Sequence, residues 1–323
     1  MKNRLVTLFI ILAMISLLVS SCGVRVNEVY SDIPGEKNQK LSGENSLNPD
    51  SINDSSGVIS DTIVDVFKEP DLQSERITQA IFNQPVDILS EQGSWAKVKV
   101  VDGYTGWIKS KFIIRDCSSI NADEYKYKIV ITGKLKNVFS QPKGGITIKE
   151  VVMGTEFFSN NATDKACEVV LPGGITGWIK INESGTVRLP VGKKLPGTSA
   201  VDFISTAAKF KGTTYLWGGV SNRGIDCSGL TYICSRINGI DLPRDTASQY
   251  EMGSEVFRDD VKPGDMLFFS NDENSKDIAY VGIFIGDNQF IHADKSKGYV
   301  FSTALVSDYY EKRLVGIRRI FNF

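Results

Sequence analysis

Two landmarks in this chain occur twice. Val66-Phe67-Lys68-Glu69-Pro70 is answered 72 residues later by Val138-Phe139-Ser140-Gln141-Pro142. Gly103-Tyr104-Thr105-Gly106-Trp107-Ile108-Lys109 is answered 71 residues later by Gly174-Ile175-Thr176-Gly177-Trp178-Ile179-Lys180. A repeat of this length makes each copy a supersecondary unit of its own. Short alternating apolar stretches broken by Gly, Pro and Asn predict two small all-β barrels, at 58–118 and 119–183. Trp107 and Trp178 then have two readings, barrel core or binding surface.

A different pattern follows the linker at 184–199, which carries Pro190, Pro196 and several glycines. Apolar residues at Val201, Ile204, Ala207, Ala208 and Phe210 predict a helix over 200–211. Tyr215-Leu216-Trp217-Gly218-Gly219 then leads into Gly224-Ile225-Asp226-Cys227-Ser228-Gly229-Leu230. Leu230, Ile233, Cys234 and Ile237 are at helical spacing, so Cys227 falls in the first turn of a helix and Cys234 on its buried face. Unpaired N–H groups and the helix dipole favour a thiolate at such a position. Pro243-Arg244-Asp245-Thr246 opens another short helix, with Asp245 as cap. Strands are predicted at Met266–Phe269, Tyr280–Gly286, Gln289–His292 and 314–320, the middle two forming a hairpin across Asp287-Asn288. Helices followed by an antiparallel sheet make residues 200–323 an α+β domain.

The run "GIDCSGL", "LPRDTASQY" at 242–250, "VKPGDMLFF" at 261–269 and "YVGIFIGDNQFIHA" at 280–293 resembles the NlpC-type cell-wall cysteine peptidases, papain-like enzymes that cut peptidoglycan stem peptides. The repeated "VF..P" and "G.TGWIK" resemble bacterial SH3 domains, which often accompany such peptidases. The resemblance implies a chain of two SH3-like barrels followed by a papain-like domain, similar to the γ-D-glutamyl-L-diamino acid endopeptidases. It implies cleavage after γ-D-glutamate through an acyl-enzyme on Cys227, and no cofactor. In three-domain relatives the first module walls off one end of the cleft, so that only stem peptides with a free N-terminal L-alanine enter. Matching positions gives Glu69 and Tyr104 as cleft residues of that module, with Trp217, Asp226, Ser228 and Asp245 lining the pocket. For Glu69 and Tyr104 the alternative is two exposed strand residues; for Asp245 it is capping alone.

The family pattern breaks at the base. The histidine that normally opens the "HVGI" strand is Tyr280 here, and the orienting position twelve residues on is His292, the only histidine in 323 residues. A thiol of ordinary pKa, ~8.5, is only a few per cent ionised at neutral pH, and a phenol near ~10 is a poor base there. Both Tyr280 and His292 are expected beside one another on the hairpin, facing the Cys227 helix. Three readings stay open: a slow or dead peptidase that still binds stem peptides, a working one with His292 or Tyr280 in an altered role, and another thiol chemistry such as acyl transfer.

The amino-terminal residues place the protein. Lys2 and Arg4 precede an apolar run from Leu5 to Val19, too short and too terminal for a good membrane anchor, so this is an export signal. It ends in Val19-Ser20-Ser21-Cys22, which looks like a bacterial lipoprotein box; lipid on Cys22 would hold the protein to a membrane on the periplasmic or envelope face. Residues 23–57 are polar and read as a flexible tether. Lys plus Arg is 37 against 38 Asp plus Glu, so no basic excess points to nucleic acid. The five cysteines lack paired metal spacing, and with one histidine no metal site is expected. A Cys117–Cys167 disulfide stays open. The expected partners are stem peptides or muropeptides and the membrane, with the protein itself a monomer.

Overall fold

The computed structural model describes residues 55–181 and 183–321. The stretch read as an export signal, Cys22 and nearly all of the stretch read as a tether lie outside the described residues. The first strand, Ser56–Ile59, begins within the stretch read as tether, because Ser56 and Gly57 pair with Asp87 and Val86.

The first β unit is one antiparallel sheet of seven strands. Its order is Arg76–Ile81, Ile63–Phe67, Thr105–Lys109, Trp95–Lys99, Pro85–Gln92, Ser56–Ile59 and Ile113–Ile114. Alternation drives it: Val64 and Val66 are buried while their neighbours are half-exposed, and they meet Ala80, Val86, Val98 and Ile108 inside. The second unit has a four-stranded sheet, Gly144–Val152, Leu135–Gln141, Ile175–Lys180 and Ala166–Leu171. A three-stranded sheet, Glu156–Ser159, Tyr127–Ile131 and Thr186–Pro190, completes it.

The repeat is visible as register. Phe67 pairs with Trp107 in the first unit, and Phe139 pairs with Trp178 in the second. Gly106 is required there, since a Cβ would lie 2.6 Å from the Phe67 carbonyl oxygen; Gly177 meets the Val138 side chain in the same way. Ile108 and Ile179 fill the two cores, and the alternation turns Trp107 and Trp178 outward, half-buried. Neither tryptophan is a core residue, so the packing reading of the Gly-Trp-Ile strands belongs to the isoleucines.

The third unit opens with the helix Ala200–Ala208, three residues shorter than its apolar pattern predicts. Ser199 and Asp202 form its capping box. The helix Cys227–Ile237 follows, then the short helix Thr246–Tyr250. A six-stranded antiparallel sheet comes after them, ordered Ser254–Glu255, Leu314–Arg319, Met266–Phe269, Tyr280–Gly286, Gln289–Asp294, Tyr299–Ala304. The hairpin turn sits at Asp287 and Asn288, both at positive φ (49° and 54°), the conformation that matches strand twist in a two-residue loop. One face of this sheet packs Ile283, Ile291 and Ala293 against Phe203, Ala207, Leu230, Ile233 and Cys234 of the two longer helices. Ile81 of the first unit and Val130, Val152 and Met153 of the second join the same cluster. The β units are therefore packed onto the helical side of the third by a shared apolar core.

Cys117 and Cys167 are separate free thiols, packed with Ile120 and Phe158 in one case and in the core of the second β unit in the other.

Candidate active site

Cys227 is the first residue of its helix, and Asp226 is the N-cap. The Asp226 carboxylate accepts from the Gly229 N–H at 2.6 Å and the Gly218 N–H at 2.8 Å. Arg244 clamps the same carboxylate with both terminal nitrogens, at 2.9 and 2.7 Å, and donates to Ser228 Oγ at 2.8 Å and to the Gly219 carbonyl at 3.3 Å. Asp226 is 5% and Arg244 3% exposed, so this is a buried ion pair with its hydrogen bonds largely satisfied. Gln249 braces the helix from the other side. Its amide donates to the Ser228 and Pro243 carbonyls at 3.0 and 2.8 Å and accepts from Thr231 Oγ1 at 2.6 Å. Arg244 and Gln249 were not singled out in the sequence, although both lie inside the "LPRDTASQY" motif.

The thiol is not activated by its helix. Burial pushes the Cys227 thiol up to about 11, and the neighbouring Asp226 carboxylate adds to the effect; a hydrogen bond from the Val281 backbone and the Arg244 charge oppose it. Burial thus outweighs the support that a helix N-terminus gives a thiolate, and the N-cap aspartate adds to the rise.

Tyr280 and His292 do stand side by side, with ring centroids 6.2 Å apart. Gly282 between them leaves room for Phe290, whose Cδ2 a Cβ there would meet at 2.5 Å. They do not both face the Cys227 helix. Cys227 packs with Phe268 and Val281, whose side chains lie on the helix-facing side of the sheet. Strand alternation puts His292 on the opposite side, where its ring meets Phe290, Phe301 and Tyr310. Tyr280, at the first position of its strand, touches both groups. It stacks on Phe269 at 5.0 Å and packs against the Cys227 cluster.

His292 is 1% exposed. Its Nε2 is 3.3 Å from the Tyr310 hydroxyl, which donates to Asp294 Oδ2 at 3.4 Å; Nε2 and that carboxylate oxygen are 3.9 Å apart. Burial drives the imidazole down to about 4, with Asp294 opposing only in part. Burial also raises the Tyr280 phenol well above its ordinary range, with the Tyr309 and Tyr310 phenols contributing. Among the described residues the Tyr280 hydroxyl and His292 Nδ1 have no hydrogen-bond partner.

A third phenol, Tyr215, was passed over in the sequence as part of an apolar lead-in. Burial raises its pKa, and Cys227, Asp226, Arg244 and Asp294 are the charges that influence it; its backbone N–H donates to the Gly298 carbonyl at 2.7 Å. It stays protonated and can donate.

The first β unit reaches the other end. Burial raises the Tyr104 phenol, and Asp245 is the next largest influence, followed by Arg244, Asp102 and Asp226. Asp102 shapes this turn by accepting from Tyr104 N at 3.0 Å and from Thr78 Oγ1 at 2.5 Å. Asp245 caps the helix Thr246–Tyr250 through Ser248 N at 2.9 Å, so capping and nearness to Tyr104 coexist. Trp217 is 48% exposed, and its indole N–H donates to Glu75 at 3.0 Å, while Arg76 donates to the Trp217 carbonyl at 3.1 Å. Glu69 is exposed on the turn before these residues, and no described hydrogen bond or ion pair joins its carboxylate to the site. Glu75, six residues on, is the carboxylate at Trp217. A motif match cannot see that difference, which depends on how the turn folds back.

The sequence profile of the NlpC/P60 family matches residues 212–319, and that of the bacterial SH3 domain matches residues 63–114. The γ-D-glutamyl-L-lysine dipeptidyl-peptidase of Bacillus subtilis (strain 168) is 32% identical over 254 residues, covering 76% of this chain and 81% of that protein. The Bacillus cereus protein of the same name is 28% identical over 250 residues, covering 75% and 74%. The crystal structure of an NlpC/P60 family protein from Bacillus cereus superposes with a TM-score of 0.75 at 23% identity, covering 82% of this chain and 99% of that one.

Proposed function

The chain belongs to the NlpC/P60 family, and on that premise we propose that it is a stem-peptide receptor built on a peptidoglycan hydrolase, retaining the pocket and lacking the working base. One observation carries the reading. The proton that must leave Cys227, held at about 11, has no imidazole to go to except His292, at about 4 and on the other face of the sheet. Burial shifts the two groups in opposite directions, each away from a thiolate–imidazolium pair.

The ligand is a peptide beginning with L-alanine and γ-D-glutamate. After burial, Asp245 is the largest influence on the Tyr104 phenol, and Asp226 nearby is paired with Arg244. A carboxylate and a protonated phenol suit a free ammonium group, and the first β unit, bonded to Trp217 through Glu75 and Arg76, would block a longer chain. Trp217, held by Glu75 and Arg76, supplies an apolar wall, and Ser228 a hydroxyl. Both β units act as SH3-like barrels, the repeat in register extending that identity to the second. Lipid on Cys22 after export, a tether, and a monomeric body held at the envelope membrane complete the arrangement.

A second reading is favoured by Tyr215. A protonated phenol beside Cys227, together with the Cys227 backbone N–H, could stabilise an oxyanion. In an active enzyme Cys227 Sγ would attack the γ-carbonyl of D-glutamate, the thiol proton would pass to the departing amine of the diamino acid, and water would then release the acyl group and return a proton to Sγ.

Calorimetric titration with L-Ala-γ-D-Glu tests the ligand. Asp245→Asn keeps a capping side chain and should weaken binding roughly 10- to 100-fold, as loss of a charge-assisted contact of about 1.5–3 kcal/mol predicts. An N-acetylated peptide should not bind. Equal affinity for both peptides would remove the free-amine reading.

A further inference from the structure

The single histidine is held by two residues that neither the motifs nor the family match assigns. The Tyr310 hydroxyl stands between His292 Nε2 and Asp294 Oδ2, at 3.3 and 3.4 Å. A hydroxyl has one proton to give, and a carboxylate is the stronger acceptor. Burial disfavours the Asp294 charge, but hydrogen bonds from Ser296 and the Lys297 backbone outweigh it and hold the carboxyl below its ordinary range, so it is ionised. Tyr310 therefore donates to Asp294 and has its oxygen free to accept from the imidazole. The carboxylate, 3.9 Å from Nε2, favours a proton at the same nitrogen. The rest of the ring's surroundings offer no competing charge. Phe290 and Phe301 are apolar, and the Tyr280 hydroxyl makes no hydrogen bond.

We propose that Tyr310, backed by Asp294, is a positioning residue that fixes His292 as the Nε2–H tautomer and leaves Nδ1 as a bare acceptor. The inference goes beyond the receptor reading and does not depend on which ligand the pocket takes. It explains why a buried histidine persists where no base is formed. The imidazole links the Asp294 carboxylate, through Tyr310, to a lone pair one strand away from position 280.

Because the chain has one histidine, the test is free of overlap. The protein is labelled with 15N in histidine, and the two ring nitrogens are recorded at neutral pH. The expected spectrum has one nitrogen at the shift of a protonated ring nitrogen, correlated with both carbon-bound ring protons as Nε2 is, and one at the shift of a bare one. In Tyr310→Phe, which keeps the ring and loses the hydroxyl, the two shifts should converge as the tautomers mix. A proton found on Nδ1 in the unaltered protein, or unchanged shifts in Tyr310→Phe, overturns the proposal. Should Tyr310→Phe fail to fold, Asp294→Asn decides, since the carboxylate that claims the Tyr310 proton is then gone. Convergence there supports the proposal and unchanged shifts refute it.

Discussion

His292 and Cys227 lie on opposite sides of one β-sheet: the imidazole packs among Phe290, Phe301 and Tyr310, while the thiol packs with Phe268 and Val281 on the helix-facing side. Tyr280, at the first position of its strand, packs against the Cys227 cluster and lies beside the His292 ring. Position 280, where the resemblance expects the base, thus adjoins both groups.

The thiol should behave as an unassisted one. Alkylation of Cys227 with iodoacetamide, read by mass spectrometry against Cys227→Ala, should accelerate steadily with pH toward about 11, without a plateau near neutrality. A plateau below pH 8 would mean that some group does ionise Cys227.

Acid should destabilise the fold through the histidine. His292 binds a proton only near pH 4 when folded, against about 6.5 when unfolded. Between these values the unfolded chain holds more protons, so the stability present above pH 6.5 is lost as pH falls toward 4. The full effect is on the order of 3 kcal/mol. Urea unfolding at pH 7 and pH 5 should show a drop that is smaller in His292→Asn, the difference isolating the imidazole from Asp294 and other carboxylates.

Breaking the buried pair under the Cys227 helix should be costly. Arg244→Met leaves the Asp226 carboxylate buried without its cation, and roughly 3–5 kcal/mol of stability should go with it. The double variant with Asp226→Asn should recover part of the loss, which urea midpoints would report. No recovery would mean that Arg244 contributes through packing alone.

Much of this architecture was legible in the chain because it is written locally. The two copies of the Gly-Trp-Ile strand, the helix behind Cys227 and the hairpin at Asp287-Asn288 each depend on spacing or turn chemistry within a few residues. The single histidine and Tyr280 were visible by inspection. What stayed hidden depended on long-range placement. Alternation along one strand says which side chains share a face, but not which face meets the Cys227 helix, so His292 was aimed the wrong way. Whether Trp107 or Ile108 points inward depends on the opposite strands. That Glu75 is the carboxylate at Trp217 follows from how the turn after Phe67 folds back. The raised thiol reflects burial, which no motif records.

Cleavage of L-Ala-γ-D-Glu-L-Lys, followed by mass spectrometry with Cys227→Ala as blank, tests the central claim most directly. The account predicts no release of lysine above the blank from the unaltered protein, and release from Tyr280→His, where an imidazole stands at the position that reaches both Cys227 and His292. Turnover by the unaltered protein would contradict it and make Tyr280 or His292 a working partner of the thiol.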